Sequence, residues 1–477
     1  MKPHAALMLM VLGLGLPCGR AAVSLTTLYS FSGSDGANPV GGLVRGSDAN
    51  FYSVTQYGGA GYTGANSTGT GTVFRITHPG TLTNLYRFGG GDDGAWPQAG
   101  LAPGSDGNFY GSTAYQGANG WGTVFRVAPS GLFSTVTALD SSSGAAQSVL
   151  VAGMDGTLYT MGVFCNTSGL GTVLSVTPGG AVSVLWSFDG ASGFTGWYAD
   201  TLVQGADGNF YGATQLGGPE FTGIFGNGGQ GTAFVMTPDG TLTTLVSFDG
   251  TNGYAPTALV QAADGDLYGV TGQGGPGFRG SGGGYGTIFK LSTNGTLTTL
   301  ALFNRTNGST PTSLIQASDG NFYGTTYDGG TSGGYGTVFK MTADGTLTSL
   351  LSFNRTNGAN PYYAPLLQDS DGSFYGTTYS GGASNRGTIF RLTLTPLAPQ
   401  LSIIPAAGNV ILSWPTNAIG FTLQSATNLG PSAIWTTNFP APVVVNGQNA
   451  VTNPISGTQQ FFRLSKASLA LEERTAH

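Results

Sequence analysis

The stretch Ser318-Asp319-Gly320-Asn321-Phe322-Tyr323-Gly324-Thr325-Thr326 decides the fold of this chain. Its Asp-Gly dipeptide favours a tight turn, because both residues tolerate the backbone angles that such turns need, and the residues after it are typical of a β-strand. Versions of the stretch occur seven times, at intervals of 49 to 58 residues, around Asp48, Asp106, Asp155, Asp207, Asp264, Asp319 and Asp371. A strand repeat of this length predicts a β-propeller or a solenoid.

Each repeat contains four segments with the pattern of a strand. In the sixth repeat these segments are residues 313–316, 322–326, 336–341 and 347–353. Four antiparallel strands in about 50 residues have the size of one propeller blade. The expected fold class is therefore all-β, with a seven-bladed β-propeller over residues 23–396.

The two ends of the repeat array complement each other. The seventh repeat has a third strand from Gly387, but Pro396 and Pro399 then oppose a fourth one. Residues 25–31 have the fourth-strand pattern with no repeat before them. We therefore expect this N-terminal strand to complete the last blade and close the ring, which would remove open sheet edges. A solenoid would have no reason to begin with an isolated fourth strand.

Composition and the N-terminus indicate a secreted protein. Residues 1–22 combine Lys2, an apolar run over 5–16 and small residues near Ala22, which is the pattern of a cleaved secretory signal peptide. Beyond it no apolar run reaches the roughly 20 residues that span a bilayer. The net charge of −6, with no basic stripe, opposes nucleic-acid binding. We expect a monomer in the extracellular space or on the cell surface.

The C-terminal part is a different unit. Residues 397–400 read as a linker, because two prolines flank the change in composition. Residues 401–465 contain short strand patterns separated by Asn, Gly and Pro, which predicts a small β-sandwich of the fibronectin or immunoglobulin type. Residues 466–477 form a polar tail.

The repeated motifs resemble a known family. Ser-Asp-Gly-Asn-Phe-Tyr-Gly-Thr-Thr at 318–326, Gly-Tyr-Gly-Thr-Val-Phe-Lys at 334–340 and the Thr-Leu-Thr-Thr-Leu-x-Ser-Phe pattern are similar to the GloVer-type tandem repeats of secreted bacterial proteins. The resemblance covers residues 25–395 and is weakest around Asp155, where Leu158-Tyr159-Thr160 replaces Phe-Tyr-Gly. It implies an extracellular or surface protein, and it supplies no catalytic residues.

The turns distinguish two faces of the expected propeller. Asp-Gly and similar dipeptides join strand one to two and strand three to four, as at Asp319 and Asp344. The other two connections are longer, as at residues 217–229 and 249–253. Because strand direction alternates, both long connections emerge on the same side, which we call the long-loop face. Binding residues concentrate on such variable loops.

Candidate catalytic groups are scarce. The repeated Asp residues are explained by turn formation, His78 is the one histidine between the chain ends, and no calcium-loop or zinc pattern occurs. A polysaccharide lyase or hydrolase remains open, because several carboxylates fall in long loops, and a glycosidase needs two of them roughly 5 to 9.5 Å apart. We predict no cofactor, no metal site and no catalytic residue.

Aromatic residues on the long-loop face are the candidate binding residues. Their rings suit sugar stacking, although packing between blades would also explain each of them. The candidates are Tyr57, Tyr115, Trp121, Tyr285, Tyr327, Tyr335 and Tyr379. The expected function is non-catalytic binding of an extracellular glycan or protein through several equivalent weak sites. The alternatives are the polysaccharide enzyme and a purely structural surface protein.

Overall fold

The computed structural model divides the chain into two compact units, one over Val23–Thr393 and another that begins at Leu394. No helix occurs in the described part of the chain, and none there could therefore cross a membrane. Residues 1–21 of the predicted signal sequence, the linker and all but the first residue of the tail lie outside the described residues. Those described are 22–64, 68–153, 155–163, 169–195, 201–223, 228–276, 278, 283–395, 401–406, 409–415, 421–428, 433–437, 439–445, 448–454 and 460–466.

The described residues of the first unit form seven antiparallel sheets, with turns and longer connections between the strands. The strands of sheets 1 to 4 are, in sheet 1, β2 (Ala37–Arg45), β3 (Phe51–Gly59), β4 (Gly69–Ile76) and β5 (Leu82–Arg87); in sheet 2, β6 (Ala102–Pro103), β7 (Phe109–Thr113), β8 (Thr123–Val127) and β9 (Phe133–Ala138); in sheet 3, β10 (Ala145–Ala146), β11 (Val151–Ala152), β12 (Leu158–Val163), β13 (Thr172–Val176) and β14 (Val182–Ser187); in sheet 4, β15 (Thr201–Gln204), β16 (Phe210–Thr214), β17 (Thr232–Met236) and β18 (Leu242–Ser247).

The remaining sheets of this unit follow the same order, except that sheet 7 includes the first strand of the chain. Their strands are, in sheet 5, β19 (Tyr254–Gln261), β20 (Leu267–Gln273), β21 (Thr287–Leu291) and β22 (Leu297–Leu302); in sheet 6, β23 (Ser309–Pro311), β24 (Ile315–Gln316), β25 (Phe322–Asp328), β26 (Thr337–Met341) and β27 (Leu347–Ser352); in sheet 7, β28 (Leu367–Gln368), β29 (Phe374–Thr378), β30 (Thr388–Thr395) and β1 (Ala22–Ser30).

The Asp residue of each repeat shapes the turn between strands one and two. In sheet 6, Asn321 N donates to Asp319 Oδ1 at 3.1 Å, and Tyr323 Oη donates to Asp319 Oδ2 at 2.8 Å. The same two contacts join Asp48 to Asn50 and Tyr52 in sheet 1. The expectation that these carboxylates serve the turns is therefore confirmed. The tyrosine that follows adds a second bond, from strand two back to the turn.

The Phe-Tyr pair of strand two joins neighbouring sheets. Tyr323 of sheet 6 packs on Phe374 of sheet 7 with ring centroids 4.4 Å apart, and other tyrosines at this position pack on the next sheet at 4.1 to 4.3 Å. Tyr375 of sheet 7 packs in the same way on Phe51 of sheet 1, at 4.5 Å. Such ring pairs contribute about 0.5–1.5 kcal/mol each beyond the apolar area they bury. The repeated dipeptide is thus the main side-chain link between sheets.

Sheets 1 and 7 also share polar contacts. Asn38 N donates to Arg386 O at 2.7 Å, and Asn38 Nδ2 donates to Tyr379 O at 2.9 Å. On the tight-turn side, the buried carboxylate of Asp369 lies 3.0 Å from Arg45 Nη1 and 2.9 Å from His78 Nε2. The N-terminal strand β1 lies beside β30, next to the segment from Gly387. The first unit is therefore an all-β array of antiparallel sheets of the propeller-like kind.

The second unit contains two antiparallel sheets in its described residues. One has the order β31 (Ser402–Ala406), β32 (Asn409–Pro415), β35 (Gln448–Pro454) and β34 (Val443–Val445); the other pairs β33 (Phe421–Ala426) with β36 (Phe461–Lys466). One hydrophobic core joins the two sheets through Leu412, Trp414, Leu423 and Val451. The unit is thus a small two-sheet β structure.

Candidate ligand-binding site

A cavity of about 590 Å³ lies on the long-loop face of the first unit, and we call it the central cavity. Its walls come from the ends of second strands such as β3, β20 and β25 and from the connections that enter first strands. Five tyrosines and four glutamines dominate the lining, which is completed by three threonines, one alanine, one glycine and one aspartate: Gln56, Tyr57, Gln98, Gln215, Ala255, Thr257, Gly272, Gln273, Thr310, Thr312, Tyr327, Asp328, Tyr362, Tyr363 and Tyr379.

Four of the tyrosines cluster where sheets 6 and 7 meet. The ring of Tyr362 lies 5.6 Å from that of Tyr327, 5.3 Å from that of Tyr379 and 4.5 Å from that of Tyr363. All three contacts are tilted or edge-on, which is a favourable geometry for aromatic pairs, and all four rings belong to the cavity lining. The cluster is a partly preformed aromatic wall.

Tyr363 occupies a strained backbone position. Its φ of 45° lies in the left-handed region, which costs a bulky residue about 1–2 kcal/mol, and the corresponding residue of sheet 1 is Gly41 at φ 75°. The Tyr363 hydroxyl accepts a hydrogen bond of 3.3 Å from Gln215 Nε2 of sheet 4. A connection into sheet 7 is therefore tied to sheet 4, across the cavity. Strain of this kind clusters at ligand sites.

The polar groups of the lining are mostly uncharged. Tyr379 Oη donates to Gln56 Oε1 at 3.1 Å, which links sheets 7 and 1 at the cavity wall. Asp328 is the one charged side chain in the part of the lining that the structure describes, and its Oδ1 lies 3.4 Å from Asn360 Nδ2. Although Asp328 is accessible from the cavity, burial by the surrounding loops raises the pKa of its carboxyl, and Arg305 partly offsets this effect. Amide and hydroxyl groups thus dominate the available hydrogen-bonding chemistry.

The sequence-based candidates separate into those inside and those outside this cavity. Tyr57, Tyr327 and Tyr379 line it. Tyr115 lines a second, smaller cavity instead, and Trp121 is half-buried against the core between sheets 2 and 3. Two further candidates, Tyr285 and Tyr335, belong to neither lining; their carbonyls accept backbone hydrogen bonds from the next sheet, donated by Thr310 N and Asn360 N.

The expectation of equivalent sites around the ring needs correction. The fourth residue after the strand-two tyrosine faces the cavity, and in five sheets it is Gln56, Gln215, Gly272, Tyr327 or Tyr379. Tyr57 and Tyr115 stand one residue further on, so these two candidates are not equivalent in position to Tyr327 and Tyr379. Residues at the fifth position also reach the cavity in three sheets, as Tyr57, Gln273 and Asp328. The cavity is therefore one asymmetric site.

Several lining residues escaped the sequence analysis. Gln56, Gln98, Gln215 and Gln273 gave no signal, since single glutamines in loops are common. Tyr363 could have been noticed, because Tyr362-Tyr363 follows Asn360-Pro361 where the first repeat has Val40-Gly41 after Asn38-Pro39. No group of three or more potential metal ligands occurs among the described residues.

The fold and the cavity define a class: an all-β, propeller-like repeat protein with a ligand-sized site on one face. The chain belongs to the Gloeobacter/Verrucomicrobia repeat family, whose model matches residues 19–225 and 221–403. No curated protein matches the chain at a significant level.

Solved structures with similar folds have low sequence identity to this chain. The extracellular domain of a hybrid two-component system from B. thetaiotaomicron is 11% identical, with a TM-score of 0.50 over 92% of this chain and 60% of that one. Puromycin hydrolase is 12% identical, with a TM-score of 0.50 over 80% and 59%. A copper-bound fungal alcohol oxidase is 11% identical, with a TM-score of 0.50 over 91% and 93%. The chain thus spans about three fifths of the first two structures, and the likeness concerns the fold alone.

Proposed function

We propose that this chain is a secreted, non-catalytic binding protein that holds an extracellular glycan in the central cavity of a seven-bladed propeller. The observation that carries the proposal is the lining of that cavity, with five tyrosines and four glutamines in a space of about 590 Å³. Aromatic faces pack on the C–H faces of sugars, and amides bond their hydroxyls. A neutral polyhydroxylated ligand fits this lining.

The ring is part of the proposal, because only a closed ring gives all these residues a common centre. The packing of the Tyr375 side chain on Phe51 supports a closed ring, since the same aromatic contact joins consecutive sheets elsewhere in the array. The hydrogen bond from Asn38 to Arg386 supports it from the other side of the same junction. In this arrangement each sheet is one blade, and β1 is the outer strand of the seventh.

The cavity favours a glycan over a protein partner. Protein interfaces are usually broad and nearly flat, whereas small-ligand sites are concave spaces of about 300–1,000 Å³. The same concavity disfavours a purely structural role. Tyr363 is also held in a strained conformation on the cavity wall, which a simple surface scaffold would not require.

The lining disfavours the polysaccharide enzyme. Glycoside hydrolysis uses two carboxyl groups that flank the bond, and Asp328 is the one carboxylate among the described lining residues. Glu220 belongs to the same face but not to the lining, and its Oε2 accepts a hydrogen bond from Gln230 Nε2 at 3.0 Å. A single carboxylate suits the fixing of a ligand hydroxyl better than it suits acid–base catalysis.

Location and assembly complete the proposal. The pattern of residues 1–22 supports export, after which the chain acts outside the cell as a monomer. The two-sheet unit after Leu394 is then an accessory module of fibronectin or immunoglobulin type.

A glycan array followed by pull-down on cell-wall polysaccharides tests the function. We expect the full chain to be retained by a neutral glycan, and Tyr327→Ala to reduce its affinity about fivefold, because stacking contributes on the order of 1 kcal/mol. Tyr285→Ala is the matched control, since that ring is 42% exposed on the same face but outside the cavity. Failure of every glycan to retain the chain, or equal retention of Tyr327→Ala and the parent, would contradict the proposal.

A further inference from the structure

A second cavity of about 420 Å³ lies on the long-loop face between sheets 1 and 2, and we call it the outer cavity. Trp96 and Tyr115 supply its aromatic walls, while Thr70, Gly90 and Gln116 supply polar and backbone groups. None of its described lining residues lines the central cavity. The outer cavity is therefore a separate space, and the residues that lie between it and the central cavity decide whether one ligand could extend across both.

Aromatic rings connect the two cavities without a break. Tyr57 lines the central cavity, and its ring centroid lies 5.6 Å from that of Trp96. The Trp96 ring in turn lies 5.0 Å from the ring of Tyr115, at an interplanar angle of 73°. Three successive rings therefore lead from the central cavity through the boundary into the outer one. A ligand that follows these rings meets an aromatic group at each step.

Hydrogen bonds to the backbone hold the Trp96 ring and the main chain of Tyr115 in place. Trp96 Nε1 donates to Gly69 O at 2.9 Å, and Trp96 N donates to Thr70 O at 3.0 Å. The backbones of Ala95 and Tyr115 exchange two hydrogen bonds, of 2.8 and 3.2 Å. Little side-chain entropy is then lost when a ligand packs on these rings, which is what makes a preformed site effective.

The nearby loop is also fixed. Asp93 accepts hydrogen bonds from Gly89 N at 2.6 Å, from Gly91 N at 3.1 Å and from Tyr86 Oη at 2.9 Å. These bonds shape the segment that carries Gly89 and Gly90, two residues of the lining. The carboxylate is thereby engaged with its own loop, and no charged side chain occurs among the described residues of the lining.

We propose that the outer cavity is a second sugar subsite, continuous with the central cavity through Tyr57, Trp96 and Tyr115, so that the ligand is a neutral linear oligosaccharide. The inference rests on the proposed glycan function and adds a direction and a length to it. One end of the oligosaccharide occupies the central cavity, and its remaining sugar units extend outward between sheets 1 and 2. Hydroxyl, amide and backbone carbonyl groups of the outer lining form hydrogen bonds with the sugar hydroxyls, and the aromatic rings pack on the C–H faces of the sugar.

Binding as a function of ligand length tests the inference. Cello-, xylo- and manno-oligosaccharides of two to six sugar residues are titrated into the full chain by calorimetry. We expect affinity to rise with length, and Tyr115→Ala to weaken the longest bound ligand about tenfold while leaving the shortest unchanged. Tyr115 is 43% exposed, so its truncation spares the core. Tyr327→Ala in the central cavity weakens all lengths.

The outcomes separate this inference from the function on which it rests. Binding by the parent chain with no effect of Tyr115→Ala at any length overturns the outer subsite alone. An equal loss for short and long ligands also overturns it, because Tyr115 would then act on the central cavity. No binding of any of these glycans, and none on the array, overturns both proposals. Tyr285→Ala, outside both linings, retains the parent length dependence if the subsite is real.

Discussion

Removal of the Asp319 carboxylate tests the role of the repeated turn. The carboxylate accepts hydrogen bonds from Asn321 N, Asn321 Nδ2 and Tyr323 Oη at 3.1, 2.8 and 2.8 Å. Hydrogen bonds to a charged group contribute about 1.5–3 kcal/mol, but the two Asn321 donors are exposed and gain water after the loss. The Tyr323 hydroxyl is partly buried. We therefore expect Asp319→Ala to lower the free energy of unfolding by about 2 kcal/mol.

A double-mutant cycle isolates the bond between Asp319 and Tyr323. Tyr323→Phe keeps the ring that packs on Phe374 and removes only the hydroxyl, at an expected cost of about 1 kcal/mol. Because both single changes break the same bond, the double variant should cost about 1 kcal/mol less than their sum. Urea unfolding, followed by near-ultraviolet circular dichroism, measures all four proteins. Asp344→Ala is the control, since Asp344 also precedes Gly in a turn but contacts only Thr342 and the Thr346 amide.

The protonation state of Asp319 supplies a further check on the cycle. Burial raises the pKa of this carboxyl, but the hydrogen bonds from Asn321 and Tyr323 outweigh that effect and leave the pKa below its usual value. A lowered folded-state pKa adds stability above the usual carboxyl pKa, and that stability disappears as the pH falls through the lowered value. The coupling should therefore shrink in acid. Additive single changes at neutral pH, or a larger loss from Asp344→Ala, would refute the assigned role.

Three further predictions concern the joints between sheets. Gly336→Ala should destabilise the protein by more than about 2 kcal/mol, because a Cβ there would lie 2.3 Å from Thr326 O. Gly320→Ala is the control: its φ is similar but the space around it is open, so it should cost only about 1 kcal/mol. Equal losses of stability in urea unfolding would refute this prediction. Arg45→Met should cost about 2 kcal/mol and Asp369→Asn less, because the first leaves the buried Asp369 carboxylate with His78 alone as its ion-pair partner, whereas the second leaves a half-exposed guanidinium; the reverse order by the same assay would be contradictory. The free energy of unfolding should also fall as the pH rises from 10 towards 12, while tyrosinate absorbance rises. Burial, and then hydrogen bonds to carboxylates, raise the pKa of four tyrosines to about 12, so the folded state holds these protons more tightly than the unfolded state: Tyr29, Tyr52, Tyr86 and Tyr211. Tyrosine ionisation near pH 10 without loss of stability would count against this prediction.

Local patterns in the sequence were enough to predict the strands. The Asp-Gly dipeptide at 319–320 specifies a turn through the chemistry of its own two residues, and the apolar alternation after it specifies a strand. Both signals lie within about ten residues, so no tertiary information is needed. The position of β1 beside β30 could be inferred as well, because the array lacked one strand at its end and had one more at its start.

Contacts between sheets could not be derived in the same way. Tyr323 and Phe374 are 51 positions apart, and their packing depends on the angle between two sheets, which no local pattern records. The one-residue offset between Tyr57 and Tyr327 illustrates the same limit. Both follow the Phe-Tyr pair of their strand and both line the central cavity, but counting from Tyr52 and Tyr323 shows that they do not occupy equivalent positions.

The distribution of repeated and varied residues separates the scaffold of the array from its central cavity. The residues that build the tight turns and join the sheets recur around the array, as Asp319, Tyr323 and Phe374 show. The residues that line the central cavity do not recur: sheets 6 and 7 supply a tyrosine where sheets 1 and 4 supply a glutamine. A surface with repeated equal pockets would show the opposite pattern. Tyrosine rings and glutamine amides alternate along the same wall, as the hydrogen bonds from Tyr379 to Gln56 and from Gln215 to Tyr363 show, so under the proposed function each ring face lies beside an amide that can bond a ligand hydroxyl.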